Sequence, residues 1–333
     1  MIKKRNLDPS LVQWIMTQTG LGPGIGEIFW VAPDRSATSQ FRTQLENQGI
    51  TDIDTTIAAA EDRCVAYRND IVMVFPGTYT VTESLTWDKA NTHLIGIGAL
   101  NRGGMGSTVY VNNATADVEQ VIKVDGHNCQ FHNMYLRNAG ADAQCYTALK
   151  VHKGENFYAE NCQFVGHAAA TQVDTAATSS LWFFIDATGK PWGANFKNCR
   201  IGSASETIRT AGAVIYISGS AALAPKYITF TDCTIESYSD TAACEAVHIA
   251  ASNSSDRYML FKDCLFYNFS VNHATSMTEV FVDDSGSTHE VLLMGSTCAM
   301  GYTSWDNGGI GYIYADRFAD AAGSHLMEVA TTG

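Results

Sequence analysis

The chain has 333 residues, of which 17% are charged, and its formal net charge is −13. Such acidity argues against a nucleic-acid-binding protein, whose contact surface would be basic. No apolar run approaches the length that a membrane-spanning helix needs, so we expect partners other than nucleic acid or a membrane.

The first 88 residues predict a small mixed α/β cap at the start of the fold. Asp8-Pro9 joins an N-cap residue to a proline at the first helical position, which predicts a short helix. A strand is predicted at 27–31, a second helix at 39–47, a third helix capped by Asp54, and a strand with a turn at 71–79. The basic first residues lack the apolar segment of a secretion signal, so we expect a protein that is not secreted.

A six-residue pattern, apolar–x–Asn/Asp–Cys–x–apolar, recurs from residue 94 onward. Its copies are residues 94–99, 131–136, 159–164, 196–201, 230–235, 261–266 and 293–298, of which the first and last are loose. The copies follow one another at about 33 residues on average, which indicates a solenoid. Within a copy the apolar residues alternate, break for two residues and alternate again, which predicts strand, tight turn and strand.

The third position of every copy is glycine, asparagine or aspartate. These residues enter the left-handed region of positive φ at low cost, and a bend between two short strands would select them. We therefore predict a turn ladder with one corner per coil, formed by Gly96, Asn133, Asn161, Asn198, Asp232, Asp263 and Gly295.

The chain contains nine cysteines, an odd number. Four of them share the fourth position of the repeat and predict a buried thiol stack: Cys162, Cys199, Cys233 and Cys264. Side chains that point in parallel suit a disulfide poorly. Because no CxxC occurs, we expect no zinc site and no other metal.

Each coil carries one more strand upstream of the cysteine position. Its inward residues are predicted at Val124, Val151, Ile185, Ile217, Ile249 and Val282. The residues that precede them then face outward, and four form a candidate interface or glycan stripe: Phe184, Tyr216, His248 and Phe281. Two interpretations stay open, since an identical subunit or the loops could cover the stripe, or sugar rings could stack on it.

These repeats resemble the right-handed, pectate-lyase-like parallel β-helix superfamily, which includes polysaccharide lyases, polygalacturonases and phage tailspikes. The resemblance covers about residues 70–315 and implies an all-β fold, a single-stranded right-handed parallel β-helix of about seven coils. We divide the chain into an N-terminal cap (1–88), the β-helix (89–300), and a last strand with a C-terminal tail (301–333). The motifs specify the fold and not an activity.

No catalytic constellation is recognised in the sequence. Asp283-Asp284 resembles the adjacent aspartates of polygalacturonases, but it falls in the turn after a strand, and the Gly-His-Gly partner is missing. The outward stripe contains no carboxylate, whereas a glycoside hydrolase needs two. His248 could act as a base, yet a surface role is the simpler interpretation. We expect the remaining acids on the solvated surface, among them Glu160, Asp174, Glu206, Glu236 and Glu245.

The first function hypothesis is a structural protein of a phage particle. The resemblance to tailspike-like rods implies a homotrimer, acting as a capsid decoration or head-fibre protein without catalysis or cofactor. Its partners would be itself and the major capsid protein or another virion protein. It would be located in the virion after assembly in the host cytoplasm.

The alternative is a polysaccharide-binding or polysaccharide-degrading β-helix protein, a lyase or hydrolase like the tailspike depolymerases. A surface glycan would then be its partner. Asp174, Glu206 or Asp283 would be the candidate acids.

Overall fold

In the residues that it describes, the computed structural model is mostly strands, with two short helices. It describes residues 26–33, 41–98, 107–111, 118–140, 147–169, 172, 179–203, 205, 208–219, 225–250, 256–269, 277–285, 289–306, 309–315 and 327–328. No helix within these ranges is long and apolar enough to cross a membrane.

The helices are α1 (Phe41–Asn47) and α2 (Ile57–Arg63). The first strands are β1 (Ile28–Val31), β2 (Ile53–Asp54), β3 (Ile71–Val74), β4 (Gly77–Thr80), β5 (Leu85–Trp87), β6 (His93–Gly96), β7 (Ser107–Val111), β8 (Gln120–Val124) and β9 (Gln130–His132). Next come β10 (Tyr135–Asn138), β11 (Thr147–Val151), β12 (Tyr158–Glu160), β13 (Gln163–Val165), β14 (Leu181–Ile185), β15 (Asn195–Lys197), β16 (Arg200–Gly202), β17 (Gly212–Gly219), β18 (Lys226–Thr231) and β19 (Thr234–Tyr238). The last are β20 (Cys244–Ile249), β21 (Asp256–Lys262), β22 (Leu265–Phe269), β23 (Met277–Asp283), β24 (Glu290–Met294), β25 (Cys298–Met300), β26 (Tyr302–Asp306), β27 (Tyr312–Ala315) and β28 (Met327–Glu328).

The strands form three long sheets. Sheet A runs in the order β2, β1, β3, β6, β9, β12, β15, β18, β21, β24, β27 and β28. Sheet B contains β4, β7, β10, β13, β16, β19, β22 and β25, and sheet C contains β5, β8, β11, β14, β17, β20, β23 and β26. Neighbours are parallel, apart from the antiparallel pair β27 and β28. From β3 to β27, successive strands belong to sheets A, B and C in turn. This arrangement is a parallel β-helix.

The predicted all-β parallel β-helix is therefore confirmed. Its described strands make eight complete coils instead of about seven. The first coil is β3–β5, so the boundary predicted at residue 88 lies one coil late, and β26 and β27 continue the sheets beyond residue 300. The first coil escapes sequence recognition because its corner carries Pro76-Gly77 instead of the Asn/Asp–Cys pair.

Aromatic side chains stacked along sheet A fill much of the core. The rings of Phe196 and Phe230 lie 5.1 Å apart, and those of Phe230 and Phe261 lie 4.8 Å apart and nearly parallel. All three are fully buried. The parallel register that aligns these rings also aligns the remaining inward positions from one coil to the next.

The predicted turn ladder lies at the corner between sheets A and B. Asn133, Asn161, Asn198, Asp232 and Asp263 have φ between 48° and 55°, and Gly295 has φ 66°. The backbone N–H of each of the five donates to a carbonyl of the following coil. Asn198 Nδ2 also donates to Asn161 Oδ1 at 2.6 Å. Each corner is thus bound to its neighbour along the rod.

Gly96 is a correction to this ladder. It is the last residue of β6 and stays in the extended backbone of that strand. Its carbonyl accepts a hydrogen bond from Asn133 Nδ2 at 3.3 Å. The prediction fails because ten residues separate β6 from β7, so no two-residue corner forms there.

A second corner ladder, between sheets C and A, was not predicted. Its members have positive φ: Asn91, Asn128, Asn156 and Gly193 lie between the strands, and Tyr227 and Arg257 follow as the second residues of β18 and β21. Asn128 Nδ2 donates to Asn91 Oδ1 at 3.1 Å, and Asn156 Nδ2 donates to Asn128 Oδ1 at 3.0 Å. Gly193 then replaces asparagine, because a Cβ there would lie 2.7 Å from Asn156 Oδ1.

The four stacked cysteines are buried, and they are free thiols. Each Sγ donates to the carbonyl two residues before it and to a carbonyl of the preceding coil, at 3.3–3.5 Å. In the next coil Thr297 takes the position, since its Oγ1 donates to Phe261 and Met294 carbonyls. The loose last copy is therefore one residue longer than the pattern, and Cys298 is exposed.

The N-terminal cap differs from its prediction in one detail. Thr56, and not Asp54, is the N-cap of α2, because Thr56 Oγ1 accepts the N–H of Ala59 at 3.2 Å. Asp54 instead pairs with Arg63 at 2.9 Å. The helix that was predicted to begin at Asp8 lies outside the described residues.

Candidate functional site

The outward face of sheet C presents one continuous column of side chains. Strand register places Lys123 beside Lys150, Lys150 beside Trp182, Trp182 beside Tyr216, and Tyr216 beside His248. Neighbouring parallel strands lie about 4.8 Å apart, so the side chains from Lys150 to His248 span about 15 Å. We call Lys150, Trp182, Tyr216 and His248 the sheet C column.

Two residues of the predicted stripe do not belong to this column. Phe184 faces outward but pairs with Ser218, so it lies two residues farther along the strands than Trp182. Phe281 is fully buried in the core and pairs with Val247, while Val282 lies beside His248. The strand β23 ends at Asp283 and not at Val282, and this one-residue slip turns Phe281 inward.

Lys150 is the cation of the sheet C column. Its Nζ lies 3.8 Å from the centre of the Trp182 ring and 3.0 Å from Glu119 Oε1. Burial lowers the pKa of Lys150, and Glu119 partly opposes that effect. Trp182 is held from its other edge, where Nε1 donates to Ser218 Oγ at 2.7 Å. The indole is thereby fixed in one orientation.

The rings of the column contact one another across coils. Ring centres are 6.1 Å apart for Trp182 and Tyr216, and 5.6 Å apart for Tyr216 and His248. Phe184 packs against the edge of Trp182 at 5.5 Å. Trp182 and His248 are buried, whereas Phe184 and Tyr216 keep part of their surface exposed. The accessible part of the face is therefore the Phe184–Tyr216 edge.

Carboxylates lie on both sides of His248. Glu245 Oε1 lies 2.5 Å from Nδ1, and Asp284 Oδ2 lies 3.3 Å from Nε2. Glu245 was expected on the solvated surface, but it is buried because it holds this imidazole. Glu236 is a second such correction, since it is buried in an ion pair with Arg200.

A pair of glutamates occupies neighbouring rungs beside the column. Val247 pairs with Phe281, and Glu245 and Glu279 each stand two residues before these partners. Burial raises the pKa of Glu279, and the charges of Glu245 and Asp306 raise it further. Acid–base chemistry uses two carboxyl groups that lie close together in different environments, and adjacent strands place these two glutamates in that way.

The sequence contained a signal for this pair that the prediction missed. Glu245-Ala246-Val247 and Glu279-Val280-Phe281 repeat glutamate followed by two core residues, and they lie one coil apart. The predicted stripe itself contains no carboxylate, but these two glutamates lie beside it on β20 and β23.

A similar imidazole lies nearer the N-terminal end of sheet C. His152 Nδ1 is 2.9 Å from Asp125 Oδ1, and its Nε2 is 3.1 Å from Asp186 Oδ2. Burial raises the pKa of Asp186, but hydrogen bonds from Thr188, His152 and the Gly189 N–H outweigh it and lower that pKa. A histidine between two carboxylates thus lies in each of the two end coils of the sheet C column, His152 beside Lys150 and His248 within the column itself.

Asp283 is not part of a catalytic triad. It points inward, accepts the Ser285 N–H at 2.7 Å in the turn after β23, and lies 2.9 Å from His289 Nε2. Ser285 Oγ approaches the same Nε2 at 2.8 Å. A triad needs the nucleophile and the acid on different ring nitrogens.

Two of the predicted candidate acids cannot be placed in the fold. Asp174 and Glu206 lie outside the described residues. Within the described ranges, no group of three or more His, Cys, Asp or Glu side chains is arranged to hold a metal ion.

Comparisons with known proteins find likeness in structure. No family model matches the sequence, and no curated protein matches it. A pectin methylesterase from carrot superimposes with a TM-score of 0.52 at 12% identity, covering 88% of this chain and 82% of that one. A pectin methylesterase variant in complex with a hexasaccharide gives 0.50 at 15% identity, covering 83% and 80%.

A tailspike protein of Acinetobacter baumannii bacteriophage Fri1, a capsular polysaccharide depolymerase, gives a TM-score of 0.39 at 11% identity, covering 86% of this chain and 58% of that one. At these identities the likeness to the two esterases shows the fold alone. The chain is a right-handed parallel β-helix protein, of the fold that these esterases share.

Proposed function

We propose that this protein binds a polysaccharide along the outer face of sheet C. The observation that carries the proposal is the sheet C column itself, which stacks a lysine, two aromatic rings and an imidazole on four successive coils. The apolar faces of sugar rings pack on aromatic side chains, and their hydroxyl groups bond to charged and polar ones. A linear column suits a linear chain of sugars.

Binding to a panel of neutral and acidic polysaccharides, measured by affinity electrophoresis, tests the proposal. We expect Tyr216→Ala and Phe184→Ala each to weaken binding at least tenfold while the thermal unfolding temperature shows that the fold persists. Met300→Ala, which removes an exposed side chain on sheet B, serves as the control and should bind as the unaltered protein does. Unchanged binding by both aromatic variants would contradict the proposal.

Hydrolysis of the same polysaccharide is a second candidate, and the Glu245–Glu279 pair favours it. A glycoside hydrolase places two carboxyl groups beside the bond that it cleaves, one of them with a raised pKa. Glu279 would be the acid and Glu245 its partner. New reducing ends that disappear in Glu279→Gln, with binding retained, would support cleavage; binding without new ends would leave a binding protein.

A place in a phage particle and a homotrimeric state stay predictions from the resemblance of the sequence. The described cysteines are free, which suits assembly in a reducing cytoplasm. Light scattering should give three times the chain mass of 36.1 kDa. A mass of one chain would contradict the trimer, and absence of the protein from purified particles would contradict the virion role together with its capsid partner.

A further inference from the structure

We propose that the protein has a second ligand site, at the corner between sheets C and A, that binds an acidic polysaccharide with widely spaced carboxylates. This inference stands on other residues than the sheet C column and does not need it. The site, which we call the corner patch, consists of Lys190, Trp192, Lys226, Tyr227, Arg257 and Tyr258.

Cations and aromatic rings alternate in the corner patch. Lys190 Nζ lies 5.3 Å and Lys226 Nζ 4.9 Å from the centre of the Trp192 ring. On the next two coils the rings of Tyr227 and Tyr258 meet edge to face, with centres 5.5 Å apart. Because the coils that carry Trp192, Tyr227 and Tyr258 are consecutive, the three rings span about two strand spacings, or roughly 10 Å.

The backbone at this corner indicates that the side chains are kept for a purpose other than folding. Earlier coils have Asn91, Asn128 and Asn156 at the corresponding corner, and asparagine adopts positive φ at low cost. In the next coils Tyr227 has φ 57° and Arg257 has φ 80°. Arg257 lies where the register of β18 and β21 shifts, so its angle belongs to that irregularity, and Tyr227 is the unfavourable choice. Tyr227 is also 46% exposed, so its burial does little to offset the strain. Such strain persists where a function selects the residue.

The charge balance narrows the class of ligand. Three cations and one acid, Asp256, which pairs in register with Lys226, lie here on a chain whose formal net charge is −13. The rest of the surface repels a dense polyanion such as DNA, which carries one charge per roughly 1.7 Å. A polysaccharide with at most one carboxylate per sugar places its charges farther apart, and its ring faces can pack on Trp192 and Tyr227. The corner patch therefore matches an acidic polysaccharide better than a nucleic acid.

The first test neutralises the cations. The double variant Lys190→Gln/Lys226→Gln should lose at least tenfold in affinity for polygalacturonic acid, measured by isothermal titration at low salt, with an unchanged unfolding temperature. The matched control Lys197→Gln/Lys262→Gln removes two charges from the last residues of β15 and β21, at the opposite ends of the sheet A strands, and should change the affinity less than twofold. Equal losses in both variants would show general electrostatic attraction and would overturn the site.

The second test separates binding from folding. Tyr227→Asn restores the residue type of the earlier coils, so it should raise the unfolding temperature while it weakens binding at least fivefold. A variant that binds as well as the unaltered protein would overturn the proposal, as would double-stranded DNA that binds the patch as tightly as polygalacturonic acid.

The two sites can be told apart with the same ligand. If the corner patch alone binds, its variants lose affinity and Tyr216→Ala does not. If the sheet C column alone binds, the reverse holds and the corner patch is refuted.

Discussion

A single backbone angle decides which residues can occupy a corner of this rod. Asn198 has φ 48°, and its side chain donates to Asn161 one coil earlier. Asparagine serves both needs because its short amide tolerates the left-handed region and reaches the next amide along the rod. The corner asparagines thus act as a ladder of hydrogen bonds parallel to the sheets.

Replacing Asn198 tests this account of the corner. Asn198→Val should destabilise the fold by about 1–3 kcal/mol, since a β-branched residue is strained at positive φ. Asn198→Gly removes the side-chain hydrogen bond to Asn161, but glycine adopts the same positive φ without strain. The change should therefore cost about 1 kcal/mol or less. Urea unfolding gives both values.

Thr229→Val is the matched control, because Thr229 lies in the extended backbone of β18. Its effect should stay within about 0.5 kcal/mol. If Asn198→Val and Asn198→Gly were tolerated equally well, the left-handed corner would not be what selects asparagine.

At the scale of strands and sheets, the sequence predicts the period and the turns but not every register. The six-residue pattern contains both strands around one corner, so sheets A and B follow from it directly. Sheet C carries no such marker, and its strands place two consecutive residues in the core, as in β20, where Ala246 and Val247 both pack inward. A search for alternating apolar and polar residues cannot locate the point where two consecutive residues face the core.

The end of β23 shows a second limit. An inward position is expected to be apolar, yet Asp283 occupies it, and its Oδ2 lies 2.9 Å from Nε2 of His289, six residues along the chain. A buried polar contact of this kind leaves no hydrophobic pattern in the sequence. The Glu245–His248–Asp284 cluster was missed for the same reason, because its members come together only once the coils are in register.

The aromatic stack of sheet A should dominate the stability of its coils. Phe230→Ala removes a fully buried ring between Phe196 and Phe261, so we expect a loss of about 3–5 kcal/mol. Equilibrium unfolding in urea measures it. Met300→Ala, at an exposed position, should change stability by less than about 0.5 kcal/mol. A loss at Phe230 as small as that at Met300 would mean that the stack contributes little.

The carboxylate pair of β20 and β23 predicts a dependence on pH. The pKa of Glu279 is raised in the folded protein by burial and then by Glu245 and Asp306, so its ionisation opposes folding. The penalty is fully present above the raised pKa of Glu279, fades as the pH falls through that pKa, and is gone below the ordinary pKa of a glutamate. Glu279→Gln should therefore melt at a higher temperature than the unaltered protein at pH 7, and the difference should shrink toward pH 4.

Glu290→Gln, which changes an exposed glutamate of β24, controls for the loss of one charge. A melting difference for Glu279→Gln that is the same at pH 7 and pH 4, or that has the opposite sign, would contradict the assignment of the raised pKa.

At the scale of the whole molecule, a solenoid is stabilised only by contacts between neighbouring coils. The thiol stack reports on those contacts, because Cys162, Cys199, Cys233 and Cys264 lie in four successive coils and are all buried. The thiolate is the reactive form of cysteine, and burial raises the pKa of Cys199 and Cys233. Each thiol of the stack can therefore react only when the coil that carries it opens.

Alkylation with iodoacetamide, mapped by peptide mass spectrometry, should label the exposed Cys298 in the native protein and leave the four stacked thiols unlabelled. Because a solenoid frays from its ends, Cys264, which is nearest the last coil, should become reactive at a lower urea concentration than Cys199. Labelling of all four in one transition would mean that the rod unfolds as a single unit. Labelling of the stack in the native protein at the rate of Cys298 would show that the coils open far more readily than their packing implies.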